Sequence, residues 1–269
     1  AYLALGTKVT LVSSRDYVLP GEDQDAAVVL ENVFKRGGMR IMNKVRAEKV
    51  ENTGDGVRVT LGNGEVLMGS HCLMAVGSIP NTESLNLEEA GVETNDQGQI
   101  VVNKVAGTSR ANVYAAGDCT NFLPLASVSS MQGRTAVFHA MGDVSTPTQL
   151  RNVTANVFTS PEIASVGWPQ SAIENDEVRG FIHKIELESN PRAKMMGVQD
   201  GFIKLFASTG GTVIGGVVVA PRASELIYAI AVAVENRLTV DDLSATFAVY
   251  PSLSDSISDA ARALHVPIV

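Results

Sequence analysis

Hydrophobic and polar positions change their period several times along the chain. Ala1-Tyr-Leu-Ala-Leu-Gly6 reads as the last turn of a helix closing on a glycine. Lys8-Val-Thr-Leu-Val12 follows as a short β-branched strand, and Val18-Leu19-Pro20 breaks the chain. From Asp23 to Arg36 the apolar residues Ala27, Leu30 and Phe34 recur on one helical face, and Gly37-Gly38 stops the helix. Arg40 to Val50 and Val57 to Leu61 alternate at strand period. Asp55-Gly56 and Asn63-Gly64 are turn signals, so this region predicts a β-meander. Cys72-Leu-Met-Ala-Val76 is continuously apolar and predicts a buried strand ending in Gly77-Ser-Ile-Pro80-Asn81. Leu85 to Val102 predicts a short helix, an exit at Gly91-Val92 and a strand carrying Ile100-Val101-Val102.

Val113-Tyr-Ala-Ala116 predicts a further short strand running into Gly117-Asp118. Ala126 opens a helix-like stretch of small residues, and Met131 to Met141 continues as a helix containing Gln132-Gly133-Arg134. Thr146-Pro147-Thr148 reads as the loop before a new domain. From Arg151 the pattern becomes α+β. It has a strand over Val153 to Phe158, a hairpin from Gly201-Phe202-Ile-Lys204 to Ile214-Gly215-Gly216, and a buried strand over Val213 to Ala220. A helix apolar nearly all round follows from Ala223 to Val234.

Length and composition add limits. The 269 residues suffice for two domains or so. Apolar residues at 45% and charged residues at 19% give an ordinary globular balance. The net charge of −8 is interspersed, and no basic patch suggests nucleic acid or a membrane surface. No apolar run reaches the length of a membrane span. Cys72 and Cys119 form no C-x-x-C and fit small buried hydrophobes in a reducing, cytoplasmic setting. The four histidines have no metal-ligand spacing. The chain starts without Met and without a beginning for its first helix, so it reads as a fragment cut inside a βαβ unit.

The candidate chemistry sits at strand ends. In open α/β sheets ligands bind beyond the carboxyl ends of strands. Gly117 lets the backbone turn there, and Asp118 then offers a carboxylate that accepts hydrogen bonds from a polyol. At the end of the strand near Val12, a Rossmann unit carries an acid that holds the ribose 2′-hydroxyl. Here that position is Ser13, followed by Ser14, Arg15 and Asp16.

The stretch Thr108…Val113-Tyr-Ala-Ala-Gly-Asp118…Leu125-Ala126 resembles the second FAD signature of the pyridine nucleotide–disulfide oxidoreductases. Gly77-Ser-Ile-Pro80-Asn81-Thr82 is similar to the family's G-x-x-P-N-T crossing. Thr159-Ser-Pro-Glu-Ile-Ala-Ser-Val-Gly167 and Asn190-Pro-Arg192-Ala193 are similar to its T-x-P-E-x-A-x-V-G and N-x-R-A motifs. The resemblance covers essentially the whole chain. It implies an α/β Rossmann-like portion followed by an α+β dimerisation domain. The implied boundaries are 1–81 for part of an NAD(P)-binding domain, 82–148 for the returning part of an FAD domain, and 149–269 for the interface domain. It also implies cofactor contacts from Gly117, Asp118, Leu125 and Ala126 to FAD, and from Gly77, Ser13 and Arg15 to NADP or NAD.

The family pattern fails in one place. Its disulfide reductases end in H-x-H-P-T-x-x-E, whose second histidine is the acid–base group. This chain reads Ala248-Val-Tyr250-Pro251-Ser-Leu-Ser-Asp255. Soluble transhydrogenases and a quinone-reducing homologue of lipoamide dehydrogenase carry tyrosine there, and the run is most similar to the latter. Tyr250 and Asp255 are thus either catalytic or an interface pair without chemistry.

The resemblance implies an FAD-dependent homodimer that passes hydride from NAD(P)H to flavin and then to a small acceptor. A quinone comes first, a second nicotinamide nucleotide next, and a dithiol–disulfide substrate third. A non-catalytic dimerisation fragment is the reading from another class. Ser13 lacks the charge by which an acid there would repel a 2′-phosphate, and Ser14 and Arg15 can donate to one, which predicts acceptance of NADPH.

Overall fold

The structure, a computed structural model, describes residues 1–144 and 147–265. Its elements in chain order are β1 (Thr10–Val12), α1 (Gln24–Arg36), β2 (Arg40–Met42), β3 (Ala47–Asn52), β4 (Val57–Leu61), β5 (Val66–Gly69), α2 (Ala126–Ala140) and β6 (Ala155–Val157). There follow β7 (Glu162–Gly167), α3 (Gln170–Glu174), β8 (Gly180–Glu186), α4 (Pro191–Met196), β9 (Phe202–Ser208), β10 (Val213–Ala220), α5 (Ala223–Asn236), α6 (Val240–Ala245) and α7 (Asp255–Ala263). The chain divides into two compact units. One joins Ala1–Met74 to Asn156–Val269, and the other is Ala75–Ala155.

In the first unit, the opening residues close as a helix end does. Thr7 N–H reaches Tyr2 C=O and Gly6 N–H reaches Leu3 C=O, with Gly6 at φ +89°. These are the two bonds of a Schellman cap. β1 then pairs in parallel with β2, Thr10 opposite Arg40. Between them α1 is capped by the Asp23 carboxylate, which accepts from Ala26 N–H at 3.2 Å. Ala27 and Leu30 are buried and Phe34 packs beside them, as the spacing predicts. The run from Arg40 to Val50 is two strands rather than one. β2 belongs to the parallel pair, and β3 starts the antiparallel meander β3-β4-β5.

The carboxyl-terminal part is a five-stranded sheet in the order β6-β7-β10-β9-β8, with β7, β10, β9 and β8 antiparallel to their neighbours. Both faces are buried, which is why β9 and β10 read as continuous apolar runs. Ile203, Leu205, Val218 and Ala220 face a core closed by α5, α6 and α7. Phe202, Phe206, Val217 and Val219 face Val18, Ala26 and Leu30. α5 buries Ala223, Ile227, Ile230 and Ala233 but exposes Tyr228, Ala229 and Val232. The expected burial all round is therefore half met within one copy of the chain.

The stretch from Cys72 through the second unit departs most from the sequence pattern. Cys72 to Val76 is not a strand, and Leu73, Met74 and Val76 are exposed. Val113 to Ala116 is extended but makes only the bridge of Tyr114 to Gly107. The expected helix at Leu85 is one 3-10 turn over Glu83–Leu85, and Ile100 makes bridges to Thr94 and Thr120 without a strand. A strand exists only through ladder bonds to a neighbour about 4.8 Å away. Among the described residues these runs make isolated bridges at most, and no ladder forms. Cys72 is exposed and Cys119 half-buried, so neither is a core residue. The helical stretch expected to open at Ala126 and continue to Met141 is one helix, Ala126–Ala140. The loop expected at Thr146-Pro147-Thr148 falls partly outside the described residues, at Thr146.

Candidate functional site

In the second unit the chain brings Gly117, Asp118, Leu125 and Ala126 together. Gly117 has φ +98°, a conformation that favours glycine. A Cβ on it would lie 3.5 Å from Ser129 Oγ, so the turn packs on the first turn of α2. Leu125 is the extended residue before the helix, and its C=O accepts from Ser129 N–H at 2.9 Å. No side chain caps α2. The first N–H groups of a helix lack intrahelical partners and favour an anion. Asp118 is exposed and makes no hydrogen bond among the described residues. A free carboxylate beside an uncapped helix start is the donor and acceptor set that a polyol phosphate needs, so these residues fit the ribityl-phosphate part of FAD. Gly77, also in this unit, is exposed at φ +113° with open space where a Cβ would stand.

In the first unit, Ser13 and Arg15 follow the carboxyl end of β1. Ser13 Oγ accepts from Arg15 N–H at 3.2 Å. Ser13 C=O accepts from Val45 N–H at 3.1 Å, and Arg15 C=O from Lys44 N–H at 3.0 Å. The Arg15 guanidinium pairs with no carboxylate among the described residues, whereas Lys44 pairs with Asp16 at 3.3 Å. Glu31 of α1 ties this loop down. Its carboxylate accepts from Val18 N–H at 3.0 Å, Asn43 Nδ2 at 2.8 Å and Lys35 Nζ at 2.9 Å. Burial pushes the Glu31 carboxyl up, but those three bonds outweigh it and hold it below the usual glutamate value.

Tyr250 lies between α6 and α7 and is exposed, as are Phe247 and Val249. Asp255 starts α7, where its N–H donates to Ser252 Oγ at 3.1 Å. No hydrogen bond joins Tyr250 to Asp255 among the described residues. Asn190 secures the segment that follows Tyr250-Pro251. Its Oδ1 caps α4 by accepting from Arg192 and Ala193 N–H, and its Nδ2 donates to Ser252 C=O at 2.9 Å and Ser256 Oγ at 2.8 Å. The N-x-R-A motif thus joins α4 to α7.

Two residues carry more of the structure than the sequence alone discloses. Lys204 is fully buried, and its ammonium meets Asp23 at 2.7 Å, Asp25 at 2.9 Å and Gln170 Oε1 at 2.7 Å. It links β9 to the start of α1. Gln132 is buried and holds the Gly117 turn. Each breaks an apolar pattern: Lys204 between Phe202 and Phe206, and Gln132 in the stripe Val128, Gln132, Thr135, Ala136. That break is the available signal. Among the described residues no cluster of His, Cys, Asp and Glu suits a metal ion, and no helix is long and apolar enough to cross a membrane.

The comparisons agree on a class. The sequence pattern of the pyridine nucleotide-disulphide oxidoreductases matches residues 1–133, and that of their dimerisation domain matches residues 153–261. The chain belongs to this flavoprotein oxidoreductase family and corresponds to its carboxyl-terminal portion. It is 52% identical over 265 residues to the NAD(P)H dehydrogenase (quinone) of Mycobacterium tuberculosis, covering 98% of this chain and 54% of that protein. It is 32% identical over 274 residues to the dihydrolipoyl dehydrogenase of Bacillus subtilis, covering 100% of this chain and 58% of that protein. The crystal structure of LpdA from M. tuberculosis superposes with a TM-score of 0.94 at 52% identity, over 98% of this chain and 58% of that one. The chain spans about half the length of the curated relatives it matches.

Proposed function

We propose that the chain is the carboxyl-terminal part of a dimeric, FAD-dependent NAD(P)H oxidoreductase. Its acceptor is a quinone, and it has no disulfide reductase activity. The observation that carries this reading is the 52% identity, over nearly the whole chain, to a protein named NAD(P)H dehydrogenase (quinone).

Bound FAD would supply acceptance of hydride from NAD(P)H and its delivery to the acceptor. The chain's own residues bind and orient. Asp118 would accept hydrogen bonds from ribityl hydroxyls, and the start of α2 at Ala126 would offer its free N–H groups to the cofactor. Gly77 gives the nicotinamide nucleotide close access to the backbone. Ser13 and Ser14 donate to the ribose or its 2′-phosphate, and Arg15 adds the charge that a 2′-phosphate needs. Tyr250 donates its hydroxyl proton in a hydrogen bond to an acceptor oxygen gaining negative charge. A phenol has a reference pKa of ~10 against ~6.5 for imidazole, so it cannot take up and return the proton that thiolate chemistry needs. Asp255 lies one methylene short of the family's glutamate and is not bonded to Tyr250, which leaves no acid–base dyad.

The test uses the full-length protein. It should purify yellow with a flavin absorbance band, and oxidise NAD(P)H when a soluble quinone is added. A protein that takes up no flavin, or that shows no quinone-dependent oxidation, would contradict the proposal.

A further inference from the structure

α2 turns one stripe inward, and Gln132 is its one amide, with 1% of its surface exposed. Gln132 Oε1 accepts from Gly117 N–H at 2.8 Å. Gln132 Nε2 donates to Thr120 Oγ1 at 3.2 Å. Thr120 O–H donates to Gly117 C=O at 2.8 Å, and Thr120 itself is wholly buried. The three residues close a ring in which each donates once and accepts once. Both backbone groups of Gly117 are held in this way, and Thr120 N–H adds a further bond to Gly117 C=O at 3.0 Å. Asp118 sits inside this turn, exposed and without a hydrogen bond among the described residues.

We propose that Gln132 is a positioning residue for the flavin, holding through Gly117 and Thr120 the turn that presents Asp118. This inference rests on the flavin reading given above. An amide is required for a stated reason. A carboxylate only accepts, so a glutamate at position 132 keeps the bond from Gly117 N–H but turns lone pairs on Thr120 Oγ1. Thr120 can then satisfy the carboxylate only by releasing Gly117 C=O. Protonating that glutamate restores a donor and hence the ring. Its carboxyl has an ordinary value of about 4.3, and burial raises it.

The experiment measures FAD dissociation constants of the full-length apoprotein by flavin fluorescence, at about pH 8 and about pH 5.5. Gln132→Leu is expected to weaken FAD binding about tenfold at both pH values, because Gly117 N–H loses its partner and the turn its hold. Gln132→Glu is expected to show a similar loss at the higher pH and to recover to within about threefold of the parent at the lower one. Thr120→Val, which removes the hydroxyl without changing the shape, should reproduce the loss at both. FAD affinity equal to the parent's in these variants, or a Gln132→Glu deficit equal at both pH values, overturns the proposal. Loss of folding in all three variants also overturns it, since the ring then serves the core and not the site. A parent protein that takes up no FAD is a separate result: it removes the flavin reading itself before any variant is compared.

Discussion

Ser13 shows how much one side chain decides. An acid at the end of β1 binds the two ribose hydroxyls of NADH and repels a 2′-phosphate. Ser13 does not repel it, and the Arg15 guanidinium pairs with no carboxylate among the described residues. The full-length enzyme should therefore accept NADPH. Ser13→Glu should lower kcat/KM for NADPH by about tenfold, the effect of one lost charge-compatible contact, while NADH is spared. A parent that strongly favours NADH, or a variant whose nucleotide preference does not move, would contradict this. Ser13, Arg15, Asp118 and Tyr250 could be singled out as candidates in the sequence because they occupy fixed places in local motifs. Lys204, Glu31 and Gln132 could not, because their roles depend on partners far along the chain: Asp23 from β9, Asn43 from α1, Gly117 from α2.

At the scale of elements, α1 is docked by charge as well as by packing. Lys204 lies in the layer between β9 and α1 with Phe202 and Phe206, and 2% of its side chain is exposed. Asp23 both caps α1 and receives that ammonium. Lys204→Met leaves the Asp23 carboxylate buried without a cation, which should cost about 3–5 kcal/mol of stability in urea unfolding. Adding Asp23→Ser keeps a capping oxygen and removes the charge, so the double variant should recover much of the loss. If the double variant is no more stable than Lys204→Met, the charge argument fails.

The same region sets an acid limit. The hydrogen bond from Lys204 holds the Asp25 carboxyl below the usual aspartate value; desolvation opposes it, and the charges of Lys204 and Lys184 add to it. Glu31 is lowered as well. A carboxyl whose folded value is depressed contributes stability that is full above its unfolded value, about 4, and is lost as pH falls through the folded value. Glu22 acts the other way: burial and then the Asp23 charge raise it, so acid relieves it. Asp25 and Glu31, with Glu51 and Asp242 lowered at the surface, outnumber the raised Glu22, so the melting temperature should fall below about pH 4.5, and Asp25→Asn should flatten that fall. A melting temperature that rises over that interval would contradict the assignment. α1 and the β9–β10 hairpin were readable because caps, turns and periods are local. The runs at Cys72 and Val113 were not, because an apolar run becomes a strand only beside another strand.

At the scale of the whole molecule, the dimerisation domain leaves apolar groups exposed on two of its segments. α5 shows Tyr228, Ala229 and Val232, and the segment after α6 shows Phe247, Val249 and Tyr250. Large apolar groups left exposed mark an association surface. The full-length protein should be a homodimer in light scattering, and a stable monomer would contradict the fold-level account of α5. The most direct measurement of the central claim compares acceptors for the full-length enzyme with NADPH: a soluble quinone, lipoamide and oxidised glutathione, each with the parent and with Tyr250→Phe. Quinone turnover should exceed both disulfide rates by at least about a hundredfold, in keeping with the general acid–base contribution that the missing histidine would supply. Tyr250→Phe should lower quinone turnover by about tenfold, the worth of one hydrogen bond to developing charge. Disulfide turnover equal to quinone turnover would contradict the account.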